Sequence, residues 1–187
     1  AEGAQAQLGF MYSTGQRIPQ DDAESVRWER LAAEQGNPRA QYNLGVSYAT
    51  GQGVPQDDAE AVRWVRLAAE QGLAEAQGML GRAYFTGQPV PQDYAEAARW
   101  YRLAAEQGDA PAQSALGWHY NTGVGVPENA GEAARWYRLA AERGHAEAQY
   151  NLGTMYDISR GVPQDSAEAV RWFRLAAEQG VARAQYN

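Results

Sequence analysis

The chain repeats itself every 36 residues, and that period constrains its fold more than any other feature. Leu8, Leu44, Leu80, Leu116 and Leu152 keep the spacing, each followed by a glycine: Gly9, Gly45, Gly81, Gly117 and Gly153. Tyr12, Tyr48, Tyr84, Tyr120 and Tyr156 share the period, as do Pro19, Pro55, Pro91, Pro127 and Pro163 and the tryptophans at 28, 64, 100, 136 and 172. Self-similarity at this length marks a solenoid, in which each unit buries its apolar face only against its neighbours. The expected functional output is an extended binding surface.

The second copy, from Pro38 to Gly72, shows what one unit is. Ala40, Leu44, Gly45 and Tyr48 fall on one face of a helix running from about 38 to 50. Gly45 carries a helix-propensity cost of about 1 kcal/mol relative to alanine. Its return in every copy is expected to reflect close approach of a neighbouring helix. Thr50-Gly51-Gln52-Gly53-Val54-Pro55 reads as a turn, with Val54 tucked toward the core. Asp57, followed three residues later by Glu60, is a capping signature that starts a second helix. In that helix Ala61, Trp64, Val65 and Ala68 form the apolar stripe, Arg66 and Glu70 are spaced for an ion pair, and Gly72 supplies the left-handed stop. The periodic tryptophans read as core wedges and the paired alanines, such as Ala68 and Ala69, as sites of close helix packing. The recurrent Asp and Glu at second-helix starts read as caps rather than metal ligands.

Composition excludes several functions. Sixteen basic residues stand against 23 acidic ones, a formal charge of −7, so the chain lacks the counter-charge that nucleic acid or an anionic membrane surface would need. No apolar run approaches the roughly 20 residues of a membrane span, and direct membrane insertion is not expected. Without cysteine there is no disulfide, thiolate nucleophile or zinc-thiolate site. No catalytic residue, metal site or cofactor is expected. The chain begins inside the repeat pattern, which leaves room for a leader or further repeats before it.

The phrase Ala-x-x-x-Leu-Gly-x-x-Tyr-x-x-Gly from Ala40 to Gly51, then Gly53 to Asp57, then Ala59 to Gly72, resembles the Sel1-like repeat, within the wider tetratricopeptide-like solenoids. The resemblance covers essentially the whole chain, read as one solenoid over 1–187 with five helix pairs and a truncated sixth unit beginning at Ala184-Gln185-Tyr186-Asn187. It implies an all-α fold, a right-handed α/α superhelix of helix-turn-helix repeats, and an adaptor role. It favours a bacterial periplasmic or secreted location over a cytoplasmic one. Cysteine-rich members associated with β-lactam or cell-wall compounds carry a disulfide pattern that is missing here. Three copies depart from the phrase. Pro89 replaces the turn glycine in the third, Glu128-Asn129-Ala130-Gly131 alters the cap of the fourth so that its helix start is expected to shift or fray, and Asp157-Ile158-Ser159-Arg160 reads as an alternative loop in the fifth.

Function is sought where the copies disagree. Opposite much of the Leu/Tyr face, the first helices carry a variable stripe: Gly3, Ala6, Phe10 and Ser13; then Arg39, Tyr42, Val46 and Ala49; then Glu75, Gly78, Arg82 and Phe85. The fourth and fifth copies contribute Pro111, Ser114, Trp118 and Asn121, and Glu147, Tyr150, Thr154 and Asp157, with Arg183 and Tyr186 trailing. In related solenoids first helices line the concave surface, so the resemblance makes this stripe an inner groove. Phe10, Tyr42, Phe85, Trp118 and Tyr150 are the candidate aromatic track, with Arg39, Arg82 and Asn121 for polar registration and Val46, Thr154 and Asp157 completing the partner-binding set. Trp118 is the sharpest candidate because it belongs to no 36-residue series. His119, beside it, and His145 lack a surrounding catalytic constellation and are assigned to packing or polar contact.

The leading expectation is a noncatalytic scaffold that binds a protein or peptide along the first-helix surface. An envelope-associated enzyme or small-molecule-binding protein acting on a cell-wall component would instead need one deep pocket with convergent groups. A self-associating scaffold is the third reading. The face around Trp172, Phe173 and Leu175, and that around Ala4, Leu8 and Tyr12, lack a complete neighbouring repeat within this sequence, which suits an end-to-end homo-oligomer.

Overall fold

Ten α-helices in tandem helix-turn-helix repeats, with no strand among the described residues, make up the computed structural model, which describes residues 2–16 and 18–185. The chain is therefore an all-α solenoid. It divides into two compact units, Ala1–Gln92 and Asp93–Asn187. The first holds α1 (Glu2–Thr14), α2 (Asp22–Glu34), α3 (Pro38–Thr50), α4 (Asp58–Glu70) and α5 (Ala74–Thr86). The second holds α6 (Tyr94–Glu106), α7 (Ala110–Thr122), α8 (Ala130–Glu142), α9 (Ala146–Asp157), α10 (Ser166–Glu178) and a closing 3₁₀ turn, Ala182–Gln185. Tyr186 and Asn187, counted with the sixth unit, lie outside the described residues.

Capping residues set the helix boundaries. Asp57 accepts from the amides of Ala59 and Glu60, and Asp21, Asp93 and Asp165 do the same at α2, α6 and α10. Each acceptor satisfies two of the donors that a helix start leaves open and adds negative charge at the positive end of the helix dipole. At α8 the altered cap does not shift the start: Ala130 is 36 residues after the first residue of α6, the register of the other copies. Asn129 accepts from Glu132 N at 3.0 Å, and this one bond holds the boundary. Gly72, at φ 91°, turns the chain from α4 into α5 as the left-handed stop required.

The repeated tyrosine and glutamine knit successive helices together. Arg30 donates to the Tyr48 hydroxyl at 2.7 Å and Arg66 to the Tyr84 hydroxyl at 2.8 Å; in the second unit Arg102 and Arg138 reach Tyr120 and Tyr156 in the same way. Arg66 thus spans to the next first helix instead of pairing with Glu70, and the local ion pair on α4 is Arg63–Glu60. Tyrosine offers an acceptor and a ring face 18 residues further along the chain, a combination a solvated glutamate one turn away does not match. Buried Gln41 donates to the Ala33 carbonyl at 3.1 Å, satisfying a helix-end acceptor that would otherwise be orphaned; Gln113 and Gln149 repeat the device on Ala105 and Ala141.

Small residues let the helix pairs close. A Cβ on Gly45 would meet Val65 Cγ2 at 2.7 Å and the Ala61 carbonyl at 3.0 Å. Leu44, Leu80, Leu116 and Leu152 are buried, as are Trp64, Trp100, Trp136 and Trp172, while Trp28 is only half-buried. Val54 packs against the core of the first unit. In the fifth copy α9 ends at Asp157, Ser159 turns at φ 56°, and Arg160 reaches the Asn121 carbonyl at 2.7 Å and Glu128 at 2.8 Å, a structural loop of the second unit.

Candidate functional site

Within the first unit, Phe10 and Arg39 line one cavity of about 600 Å³ together with Gly3, Ala6, Glu29 and Asn43. Phe10 projects from α1 and is 44% exposed. Arg39, on the first turn of α3, lies 6.0 Å from the Tyr42 ring centroid and forms a 2.8 Å ion pair with Glu75 on α5. Hydrogen bonding from Arg39 holds the Glu75 carboxyl below its usual range. Arg82 lies elsewhere, lining a smaller cavity of about 180 Å³ with Val65, Leu80 and Pro89, where the third copy has its substituted turn. Val46 and Phe85 are half-buried, and their main-chain carbonyls are engaged by Thr50 Oγ1 and Gln92 Nε2.

Glu29 is the residue that comparison of the periodic positions missed. It lies on α2, is 4% exposed, and contributes to the cavity. Its counterparts 36 residues apart are Val65, Tyr101, Tyr137 and Phe173, so in the first copy alone a carboxyl stands where the others carry an aliphatic or aromatic side chain. Desolvation raises its carboxyl to about 7, against the opposing pull of hydrogen bonds from Asn43 and Ser25. Space for it comes from Gly9, where a Cβ would stand 2.8 Å from Glu29 Cγ. The signal is present in the sequence as the one acidic residue of that periodic column, on a second helix and not in the variable stripe of the first helices.

In the second unit Trp118 is 36% exposed and stands edge-on to His119, with ring centroids 5.2 Å apart. His119 is fully buried, its Nδ1 is 2.6 Å from the Val124 carbonyl, and its ring lies 5.8 Å from that of Tyr101. Burial holds its pKa below the usual histidine value. Tyr150 packs against Phe173 at 5.6 Å, and the Arg183 guanidinium stands 5.0 Å from its ring. Thr154 donates its hydroxyl to the Tyr150 carbonyl, the Asn121 carbonyl accepts from Arg160, and exposed Asp157 uses its carbonyl for Gln164. Trp118 thus stays partly exposed beside His119, whereas Tyr150 is half-buried against Phe173. His145 caps α9 by accepting from Ala148 N at 3.3 Å.

No group of three or more His, Asp or Glu suited to a metal ion occurs among the described residues, and no described helix is long and apolar enough to cross a membrane.

The Sel1 repeat profile matches residues 3–37, 38–73, 74–109, 110–145 and 146–181. Among solved structures the chain is similar to c5321, a protective antigen present in uropathogenic Escherichia coli strains, at 44% identity and a TM-score of 0.93. That match covers 98% of this chain and 39% of the E. coli protein, so the chain spans well under half the length of that relative. It is also similar to a Sel1 repeat protein from Oxalobacter formigenes, at 37% identity and a TM-score of 0.89, covering 98% of this chain and 73% of that one. A Sel1 repeat protein from Klebsiella pneumoniae shares the fold at 22% identity, with a TM-score of 0.57 over 99% of this chain and 90% of its own. No curated protein matches the chain.

Proposed function

Because the chain belongs to the Sel1-repeat family, whose solenoids generally serve as noncatalytic protein-interaction scaffolds, we propose that it holds an extended peptide or protein segment against the faces of its first helices. The observation that carries this reading is the open cavity between α1 and α3, where Phe10 and Arg39 converge on a space that the apolar core leaves unfilled. Aromatic and arginine side chains at a concave site supply contact area and directed hydrogen bonds at low ordering cost. In the second unit the partial exposure of Trp118 supports the same use. A bacterial periplasmic or secreted location belongs to the same proposal and rests on the family resemblance.

Selection of peptides from a random display library on the immobilised chain tests the reading. Phe10→Ala and Trp118→Ala are expected to weaken selected peptides about tenfold, the effect of losing an interface anchor. Val170→Ala, at an exposed position on a second helix, is expected to leave them unchanged. Equal loss in all three variants would sink the first-helix assignment.

A further inference from the structure

Three positions change together to open the cavity beside Glu29. In the second copy the positions of Glu29, Gly3 and Ala6 are taken by Val65, Arg39 and Tyr42, and Arg39 bridges to Glu75. In the fifth they are Phe173, Glu147 and Tyr150, with the Phe173 and Tyr150 rings tilted against each other and Arg183 over the Tyr150 ring and paired to Glu147 at 2.7 Å. In the first copy the corresponding residues are Glu29, Gly3 and Ala6, a carboxyl beside two small residues in the lining of the cavity. Gly3 and Ala6 leave room that the larger residues of the second and fifth copies would take up, and an acid at the base of it creates a demand for positive charge.

We propose that this cavity takes the side chain of a lysine presented by a bound peptide, its ammonium seated on the Glu29 carboxylate and its aliphatic stem against Phe10 and Ala6. The inference rests on the peptide-scaffold reading above. Lysine fits on three grounds. Its ammonium is compact and donates three hydrogen bonds, and the floor offers two carboxylate oxygens and the Asn43 amide, whose carbonyl oxygen is a further acceptor when its NH₂ serves Glu29. Its stem buries against apolar surface while the head reaches a charge. The chain's net charge of −7 favours a cationic ligand over an acidic one. Arg39, the charged group lining the cavity from α3, is already paired with Glu75; α1 lines it with Gly3, Ala6, Gln7 and Phe10, none of them charged. Seating the ammonium ionises Glu29, so binding releases a proton wherever that carboxyl was protonated beforehand.

The test is an amide-shift titration of the intact chain with Nα-acetyl-lysine N-methylamide and with its norleucine counterpart, repeated on Glu29→Val and Glu29→Gln. Valine occupies the equivalent position at 65 without disturbing the repeat, and unchanged shifts in α4 and α5, of the same unit, confirm that each variant is folded. The lysine compound is expected to perturb α1–α3, to bind about tenfold more tightly at pH 8 than at pH 6, and to lose at least tenfold in affinity in both variants. Equal binding of the two compounds, or binding indifferent to both substitutions, overturns the proposal. Display-selected peptides separate it from the broader reading. Peptides enriched in lysine and lost on Glu29→Val support it; peptides that bind Glu29→Val equally well overturn the lysine seat while leaving the scaffold standing. A library that yields no binder overturns both.

Discussion

Glu29 on α2 and His119 on α7 are both enclosed ionisable side chains, 4% and 0% exposed, and each stands where the other copies carry something else. For His119 those counterparts are Met11, Ser47, Ala83 and Met155. Its surroundings are filled: the Tyr101 and Trp118 rings lie against it and the Val124 carbonyl takes up Nδ1. Glu29 has Asn43 and Ser25 beside it but opens on about 600 Å³ of unfilled space. Burial of a polar group alone therefore does not mark a binding position in this repeat. What separates the two is whether the neighbouring residues shrank to make room, as Gly3 and Ala6 did for Glu29.

The comparison can be broken most forcefully at His119. His119→Ala is expected to destabilise the second unit by about 2–4 kcal/mol, since it leaves a cavity among aromatic rings and an unanswered carbonyl. Hydrogen exchange of α7 and α8 amides measures it, and a loss under about 1 kcal/mol would mean that the histidine is not the filled, structural partner in the contrast.

The two regions are next expected to respond to acid in opposite directions. The Glu29 carboxyl sits near 7 when folded against a reference of 4.5, so the unfolded chain releases that proton first as pH rises. Stability of α1–α3 accordingly falls between about pH 4.5 and 7, and by linkage the total is on the order of 3 kcal/mol. Glu29→Val should recover most of it above pH 7 and show little advantage below pH 4.5. His119 and His145 are both held below the usual histidine value by desolvation, with partial opposition from the Val124 carbonyl at the first and from Glu147 and Asp109 at the second. Their contribution is complete above pH 6.5 and is lost as pH drops through their lowered folded values. Region-resolved hydrogen exchange at pH 7.5 and 5.5 checks both signs; parallel behaviour of the two units would contradict the contrast.

The smallest effect belongs to Arg39→Ala. Its ion pair with Glu75 is about half exposed on both sides, so solvent screening leaves a contribution of about 0.5 kcal/mol or less. A chemical denaturation midpoint indistinguishable from that of the parent, together with weaker peptide capture, would assign Arg39 to recognition rather than to the scaffold.

Much of this molecule is legible in the 36-residue period. Helix boundaries, the side-chain caps of the second helices, the glycine stops and the burial of most of the periodic leucine, alanine and tryptophan residues follow from local chemistry that recurs along the chain, because such signals act over one or two turns. Partners further apart were harder to read. Arg66 was spaced for Glu70 yet reaches Tyr84, since a helix-pair solenoid brings residue i against residue i+18 as closely as against i+4. The variable stripe contains Phe10 and Arg39, which line the cavity, and Trp118, which is partly exposed, but spacing could not reveal that Tyr150 packs on Phe173.

By itself the sequence determined a repeating all-α scaffold, because periodicity, caps and stops are local and mutually consistent. Only the tertiary structure decided where that scaffold is open. Glu29, Gly3, Ala6 and Arg39 come from three different helices, and whether a carboxyl at position 29 ends in packed core or at a cavity floor depends on side-chain volumes contributed by neighbours remote in sequence.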